Sequence, residues 1–419
     1  MLFYVMLSAF AEEPVYTPHF HVANRPQVWS NPDYDSSTAD GIWSVKQLTR
    51  IGITAETKAL TLQAKFQDYR MWGEEASPFL NKDVLQTMHE GYAQIAFTPK
   101  AWLRLGRQEY RLNDGRLLWA APWTLFDRSY DGARFYAKGK SWEYNLFGSV
   151  SRSAQNYQTI CDDSVADCSD FQPETINSHG DYFLTSNLNL NLNEALNINP
   201  YLLAVHQDSS ADDLNQDRRI YTLGAYAKGK PAQNIFYSLE AAYQMGQESA
   251  DVSQSAWMAA GELGYKKSGK KLAVFYEELS GDGDSTDNVQ HDFDSFQASR
   301  HKFRGMADVV GTKNIRDYGV KTNVAIKEKF ELIADVHHFE LSNPEGFWYA
   351  VSNQAIGGGE AGNTESVLGN ELDLRLDYKP SKSMNLQLTE GIFMPSGYGA
   401  EITAGDVSMT TYLWMRYTL

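Results

Sequence analysis

Apolar and polar residues alternate with a period of two along much of this chain, and this pattern limits its fold more than any other feature. In the segment ELDLRLDYK, from Glu371 to Lys379, every second residue is apolar. The segment from Gly180 to Leu192 ends with leucines that alternate with asparagines. Strict alternation predicts strands with one apolar and one polar face. The apolar face packs inward in a soluble sandwich but faces lipid in an outer-membrane barrel, whose polar face lines the lumen.

The connections between the predicted strands alternate in length. The first connection, residues 26–42, is long and the second, around Glu56 and Thr57, is tight. Long loops at one end and short turns at the other are typical of outer-membrane barrels, whereas a sandwich has no reason to alternate in this way. We therefore predict an all-β fold, a transmembrane antiparallel barrel of about 18 strands with long extracellular loops and short periplasmic turns. The strands are expected near residues 15–26, 43–55, 58–72, 87–98, 101–112, 131–138, 141–153, 180–193, 197–207, 218–228, 233–247, 254–267, 270–279, 317–327, 329–341, 370–379, 383–394 and 408–419.

The two ends of the chain fit export to an outer membrane. Residues 1–11 are apolar and end in Ala-Phe-Ala before two glutamates, which predicts a signal-peptide remnant; a buried first strand is the alternative. No linker interrupts the rest, so residues 12–419 are expected to form a single barrel domain. The last segment, TTYLWMRYTL, resembles the terminal strand that outer-membrane assembly machinery recognises.

Other classes of protein are disfavoured by composition. No run of about 20 apolar residues is present, so membrane-spanning helices are not expected. The net charge of −16 argues against a nucleic-acid partner, because phosphate binding needs a basic surface. Cys161 and Cys168 predict a disulfide that clamps a polar loop, with two unpaired thiols as the alternative.

Motifs for chemistry are weak. No Gly-x-Ser-x-Gly elbow and no zincin spacing occur, and His337 and His338 are neighbours on opposite faces of a strand. Acidic stretches such as Gly281–Asp284 do not match a calcium loop and are expected to be solvated. We therefore predict no catalytic residue, no metal and no cofactor.

An arginine-rich segment points to the function instead. Arginine facing lipid costs roughly 2–4 kcal/mol near the membrane midplane, so these side chains are expected to face the lumen and favour anions. Arg104 and Arg107 have opposite parity, so either one lies near a membrane edge or Gly106 marks a bulge. Salt bridges to Asp131 and similar acids are the alternative role. The arginines in question are Arg104, Arg107, Arg111, Arg116, Arg128 and Arg134.

Three blocks of sequence carry a resemblance to a known family. The first lies between Leu105 and Arg134 and reads LGRQE, then DGRL, FDR and DGAR. The second, 293–319, has as its recognisable members His301, Gly305, Asp308 and Asn314. The third runs from Asn370 to Gly397. In this order they resemble the alginate-export family of outer-membrane porins.

The resemblance implies an 18-stranded monomeric barrel with an arginine-rich constriction that conducts a polyanionic uronate polymer out of the cell. In the best-known members a long turn before the penultimate strand plugs the pore, but here it is only Lys379–Ser383, so such gating is not expected. Uptake of a smaller acid or sugar is equally compatible. Candidate path residues are the six arginines with Asp131, His301, Arg304, Asp308 and Arg375.

Four hypotheses remain open at this stage. The first is a porin for an anionic or carbohydrate solute, surrounded by outer-membrane lipid. The second is a barrel with a blocked lumen whose long loops bind a partner or adhere to a surface. The third is a barrel enzyme built around His301, and the fourth is a soluble carbohydrate-binding all-β protein.

Overall fold

The computed structural model describes residues 12–37, 41–72, 84–124, 127–152, 181–207, 218–299 and 301–419. The expected signal remnant, 1–11, and the expected Cys161–Cys168 disulfide lie outside these ranges. The described strands are β1 Val15–Ser30, β2 Ile42–Glu56, β3 Leu60–Met71, β4 Val84–Thr98, β5 Ala101–Gln108, β6 Tyr130–Lys138, β7 Trp142–Arg152, β8 Asp181–Asn193, β9 Leu196–Gln207, β10 Arg218–Ala232, β11 Ile235–Gln247, β12 Ser253–Lys267, β13 Lys270–Leu279, β14 Val289–Gln290, β15 Ile315–Lys327, β16 Phe330–Glu340, β17 Phe347–Tyr349, β18 Ala355–Gly358, β19 Val367–Tyr378, β20 Met384–Pro395 and β21 Ser408–Thr418.

Eighteen of these strands form a closed antiparallel barrel. Each pairs with its neighbours along the chain, and β1 closes the ring by pairing with both β2 and β21. The other three are short: β14 lies parallel to the start of β12, and β17 pairs with β18 in a separate hairpin. The predicted fold is confirmed, because each predicted strand overlaps one barrel strand.

The side chains of the barrel wall follow the predicted alternation. Leu263, Leu272 and Val274 are each about half exposed on the outer face, whereas Thr185 and Glu371 are fully buried on the inner face. This is the reverse of a water-soluble protein, where apolar groups are buried. It is the arrangement expected of strands that face lipid. No helix in the described ranges is long and apolar enough to span a membrane.

Long and short connections lie at opposite ends of the barrel. Short turns include Ser268–Gly269, where both residues have positive φ, and 328–329. Long connections follow β5, β13 and β16. Strand β5 ends at Gln108 rather than near residue 112, as predicted, because the chain leaves the wall there. This departure begins the site described next.

Candidate functional site

Two long loops fold into the barrel and pack against each other. We call them the first inner loop, 109–124 and 127–129, and the second inner loop, 291–299 and 301–314. The Trp119 amide donates to the Gln297 carbonyl at 3.1 Å, and the Gln297 amide donates to the Leu117 carbonyl at 3.0 Å. Leu117, Leu118 and Phe293 are almost fully buried in the same cluster as wall residues. The two loops therefore form one constriction attached to the inner wall.

Carboxylates of β19 hold the second inner loop to the wall. The Met306 amide donates to Asp373 at 3.1 Å, and the Ala307 amide donates to Glu371 at 2.8 Å. Gly305 lies beside them with φ of +82°, and a Cβ atom there would lie 2.2 Å from Glu371 Oε1. Only glycine permits both this backbone conformation and this close approach.

Arg116 and Arg304 meet at one buried wall carboxylate. Glu277 on β13 lies 2.5 Å from Arg116 Nη1 and 2.8 Å from Arg304 Nη2. Arg116 also lies 3.3 Å from Asp114 and 3.8 Å from Glu240. Desolvation lowers the pKa of Arg304 in this position. These two predicted path arginines are therefore neutralised by carboxylates and join the two loops to the wall.

A stack of rings fixes the other side of the constriction. The His301 and Trp123 rings are parallel, with centroids 3.5 Å apart, and the Arg25 guanidinium lies 3.5 Å from the Trp123 centroid. Asp308 accepts from Trp123 Nε1 at 2.7 Å and contacts His301 Nδ1 at 2.8 Å. His301 and Asp308 thus position the loops, and no serine completes a triad among their described contacts. Arg25, which sequence reasoning missed, could have been found from the alternation of β1.

Arg104 and Arg134 form what we call the arginine pair, and neither donates to a carboxylate in the described ranges. They lie directly opposite each other on β5 and β6, on the inner face. Arg104 donates to the amide oxygen of Gln94 and Arg134 donates to that of Asn145, both at distances below 3.3 Å. Among the described residues, no ion pair involves either guanidinium. The side-chain hydrogen-bond partners of both guanidinium groups are therefore neutral amides.

Aromatic rings support the arginine pair. The Arg104 guanidinium lies 4.0 Å from the Tyr92 ring centroid, and both arginines lie within 5.3 Å of the Trp102 ring centroid. The Trp102 ring stacks on Tyr136 with centroids 5.1 Å apart. Such rings hold guanidinium groups by cation–π attraction without removing their charge.

Arg107 and Asp131 do not line the lumen, which corrects the sequence prediction. They share the strand face of Leu105, which is 48% exposed on the outside, and form a 2.8 Å ion pair. The ladder between β5 and β6 stays in register through Gly106. Of the two predicted alternatives, an edge position is therefore the one observed. Arg107 is the second-last residue of β5, where a charged group can reach the membrane surface.

The remaining predicted residues are dispersed. Arg128 donates to the Gln297 carbonyl at 2.7 Å and ties the two loops together. Arg375 lies on the inner face 3.2 Å from Asp377. Arg111 is exposed in the first inner loop, 5.2 Å from the Trp119 ring centroid. It lies outside the wall, because β5 ends at Gln108 and does not extend to residue 112 as predicted.

One group of side chains has the composition of a metal site. One ligand atom from each of His89, Glu109 and Asp127 lies within 4.8 Å of the others. However, His89 Nε2 contacts Glu109 Oε1 at 2.6 Å, and Arg50 pairs with Asp127 at 2.8 Å. Burial raises the pKa of Asp127, which disfavours its ionised form. Each of the three side chains already contacts a protein group, so we assign no metal there.

Solved structures of similar fold are barrels from two bacteria. Pseudomonas aeruginosa OccK5 (OpdH) matches with a TM-score of 0.61 and 11% identity over 96% of this chain and 98% of that one. Acinetobacter baumannii OccAB3 matches with a TM-score of 0.64 and 11% identity over 96% and 99%. The P. aeruginosa outer membrane protein opdK matches with a TM-score of 0.61 and 11% identity over 97% and 98%.

Comparison of sequences gives the family. No curated protein sequence matches the chain. The family described as alginate export matches residues 47–415, nearly the whole chain. Together with the closed barrel, this makes the protein a channel of the outer membrane and not an enzyme. The chain belongs to the alginate export family.

Proposed function

We propose that the channel passes an anionic or sugar-like solute passively through an arginine-lined lumen, and that the solute is an acidic polysaccharide such as alginate. The arginine pair carries this proposal. Like charges directly opposite each other in a ladder destabilise a sheet. Arg104 and Arg134 have amide partners instead of carboxylates, and a passing carboxylate would relieve their repulsion.

The proposed path contains fewer arginines than the sequence suggested. Arg116, Arg304 and Arg375 have carboxylate partners, so they contribute less net charge to the lumen. Tyr92 and Trp102 add ring faces beside the arginine pair, which suit the apolar faces of sugar rings. A monomeric barrel inserted by the outer-membrane assembly machinery remains a prediction.

Reversal potentials in planar bilayers with a KCl gradient test the proposal. We expect anion preference in the wild-type channel and its loss in the double variant Arg104→Ala/Arg134→Ala. Arg107→Ala is the matched control, because it removes an arginine from the same strand but from the outer face, and it should leave the reversal potential unchanged. Cation preference in the wild type, or equal effects of the two variants, would disprove the arginine path.

A further inference from the structure

Lysines concentrate at the end of the barrel that carries the short turns, although the chain as a whole has a net charge of −16. By the rule for outer-membrane barrels, this end faces the periplasm. Lysines occur in or beside most of these turns. They are Lys58, Lys100, Lys138, Lys140, Lys228, Lys230, Lys266, Lys267, Lys270, Lys271, Lys327, Lys329, Lys379 and Lys382.

Three neighbouring turns form a cavity of about 220 Å³, which we call the lysine pocket. The turns join β12 to β13, β15 to β16 and β19 to β20. Acidic groups in the lining are fewer: Glu328, Glu331 and Asp377. The lysines that line it are Lys266, Lys270, Lys271, Lys327, Lys329 and Lys379.

Most of the lysines in the pocket lack a partner. Lys271 pairs with Glu262 at 2.7 Å, and Lys329 Nζ donates to the Pro380 carbonyl at 2.9 Å. The ammonium groups of the other four have neither an ion pair nor a hydrogen bond within the described ranges. The acids are fewer than the lysines, and one of them, Asp377, is paired with Arg375. The pocket therefore keeps an excess of free positive charge.

Lysines that lie opposite each other beside the pocket destabilise the sheet. Lys266 lies directly opposite Lys271, and Lys267 lies directly opposite Lys270. Like charges in such positions are destabilising, and a single acid in either position would remove the repulsion. Ammonium groups act as compact point charges on flexible stems, so they can follow carboxylates that have no fixed spacing.

We propose that the lysine pocket binds the carboxylates of an acidic polysaccharide at the periplasmic mouth, before the polysaccharide reaches the arginine pair. This inference rests on the proposed function and adds the side from which the polymer is captured. Exposed charges of one sign at a mouth raise the association rate of an opposite charge, and salt weakens the effect. Capture should therefore be faster from the periplasmic side.

The test uses the full-length channel in planar bilayers of zwitterionic lipid, with a uronate oligomer added to one side at a time. The oligomer should block the current with a higher association rate from the short-turn side. The quadruple variant Lys266→Gln/Lys270→Gln/Lys327→Gln/Lys379→Gln should reduce that rate about tenfold at 0.1 M salt and leave the other side unchanged. At 1 M salt, where the Debye length is about 3 Å, the difference should vanish.

A matched variant tests the location. Lys138→Gln/Lys140→Gln/Lys228→Gln/Lys230→Gln removes the same charge from the same end but outside the pocket, and it should have a small effect. Equal losses in both variants, or equal blocking rates from both sides, would overturn the pocket while leaving an anion channel intact. No block from either side would instead overturn the proposed polysaccharide. If the quadruple variant alters only binding to vesicles containing phosphatidylglycerol, the pocket binds lipid and the inference is wrong.

Discussion

At the scale of single residues, the partner of each arginine decides its role. Arg304 is fully buried against Glu277, whereas Arg104 faces the lumen with only amide partners. The sequence predicts the same role for both, as residues that line the solute path. The structure separates arginines that pair with carboxylates and hold loops in place from the arginine pair, which we propose meets the solute.

Glu277→Gln should destabilise the barrel, because it leaves Arg304 buried without its carboxylate partner and removes one of the carboxylates beside Arg116. Breaking a buried ion pair costs about 3–5 kcal/mol, so we expect a loss of about 3 kcal/mol in the free energy of unfolding from lipid vesicles in urea. Glu262→Gln is the control, because its pair with Lys271 is more exposed and exposed pairs contribute about 1 kcal/mol or less. Equal losses for the two variants would contradict the assignment.

Parity along the strands was predictable, but partners were not. Alternation of apolar residues around Arg104 and Arg134 indicates their inner face, because arginine is costly in lipid. Arg107 was predicted to share that lumen-facing role, and only the strand end at Gln108 and its pairing with Asp131 show why it does not. Contacts such as Arg116 with Glu277 join positions far apart in sequence, so no local pattern reveals them.

At the scale of elements, strands and inner loops differ in how well the sequence predicts them. Apolar and polar residues must alternate in a strand that faces lipid on one side, so the local sequence pattern predicts its position. The two inner loops have no period, and nothing local distinguishes them from loops that extend outward. Family resemblance identified the block 293–319, but the attachment of this segment to Glu371 and Asp373 is visible only in the structure.

Gly305→Ala should detach the second inner loop from the wall. The new methyl group would contact Glu371 in a backbone conformation that alanine rarely adopts, so we expect a larger and noisier single-channel conductance. Gly362→Ala is a matched control, because Gly362 has the same φ of +82° but no atom within 4 Å of the added Cβ. A conductance of wild-type size in Gly305→Ala would show that the loop does not narrow the pore.

At the scale of the whole molecule, acidic and basic residues concentrate at opposite ends of the barrel. The long loops carry acids such as Asp282, Asp284 and Asp287, while the short turns carry lysines. The net charge of −16 gives no indication of this separation. The lysine pocket lies at the short-turn end, and the arginine pair lies on β5 and β6 between that end and the first inner loop. This order is the one expected for the polyanion that we propose enters through the short-turn end.

Flux into liposomes tests the central claim most directly. Vesicles containing the purified channel would be given labelled uronate oligomers or neutral oligosaccharides of the same length, and entry would be timed. We predict that the uronate enters faster than the neutral sugar and that the Arg104→Ala/Arg134→Ala variant removes this preference. Faster entry of the neutral sugar, or no entry of either, would contradict an anion-conducting channel.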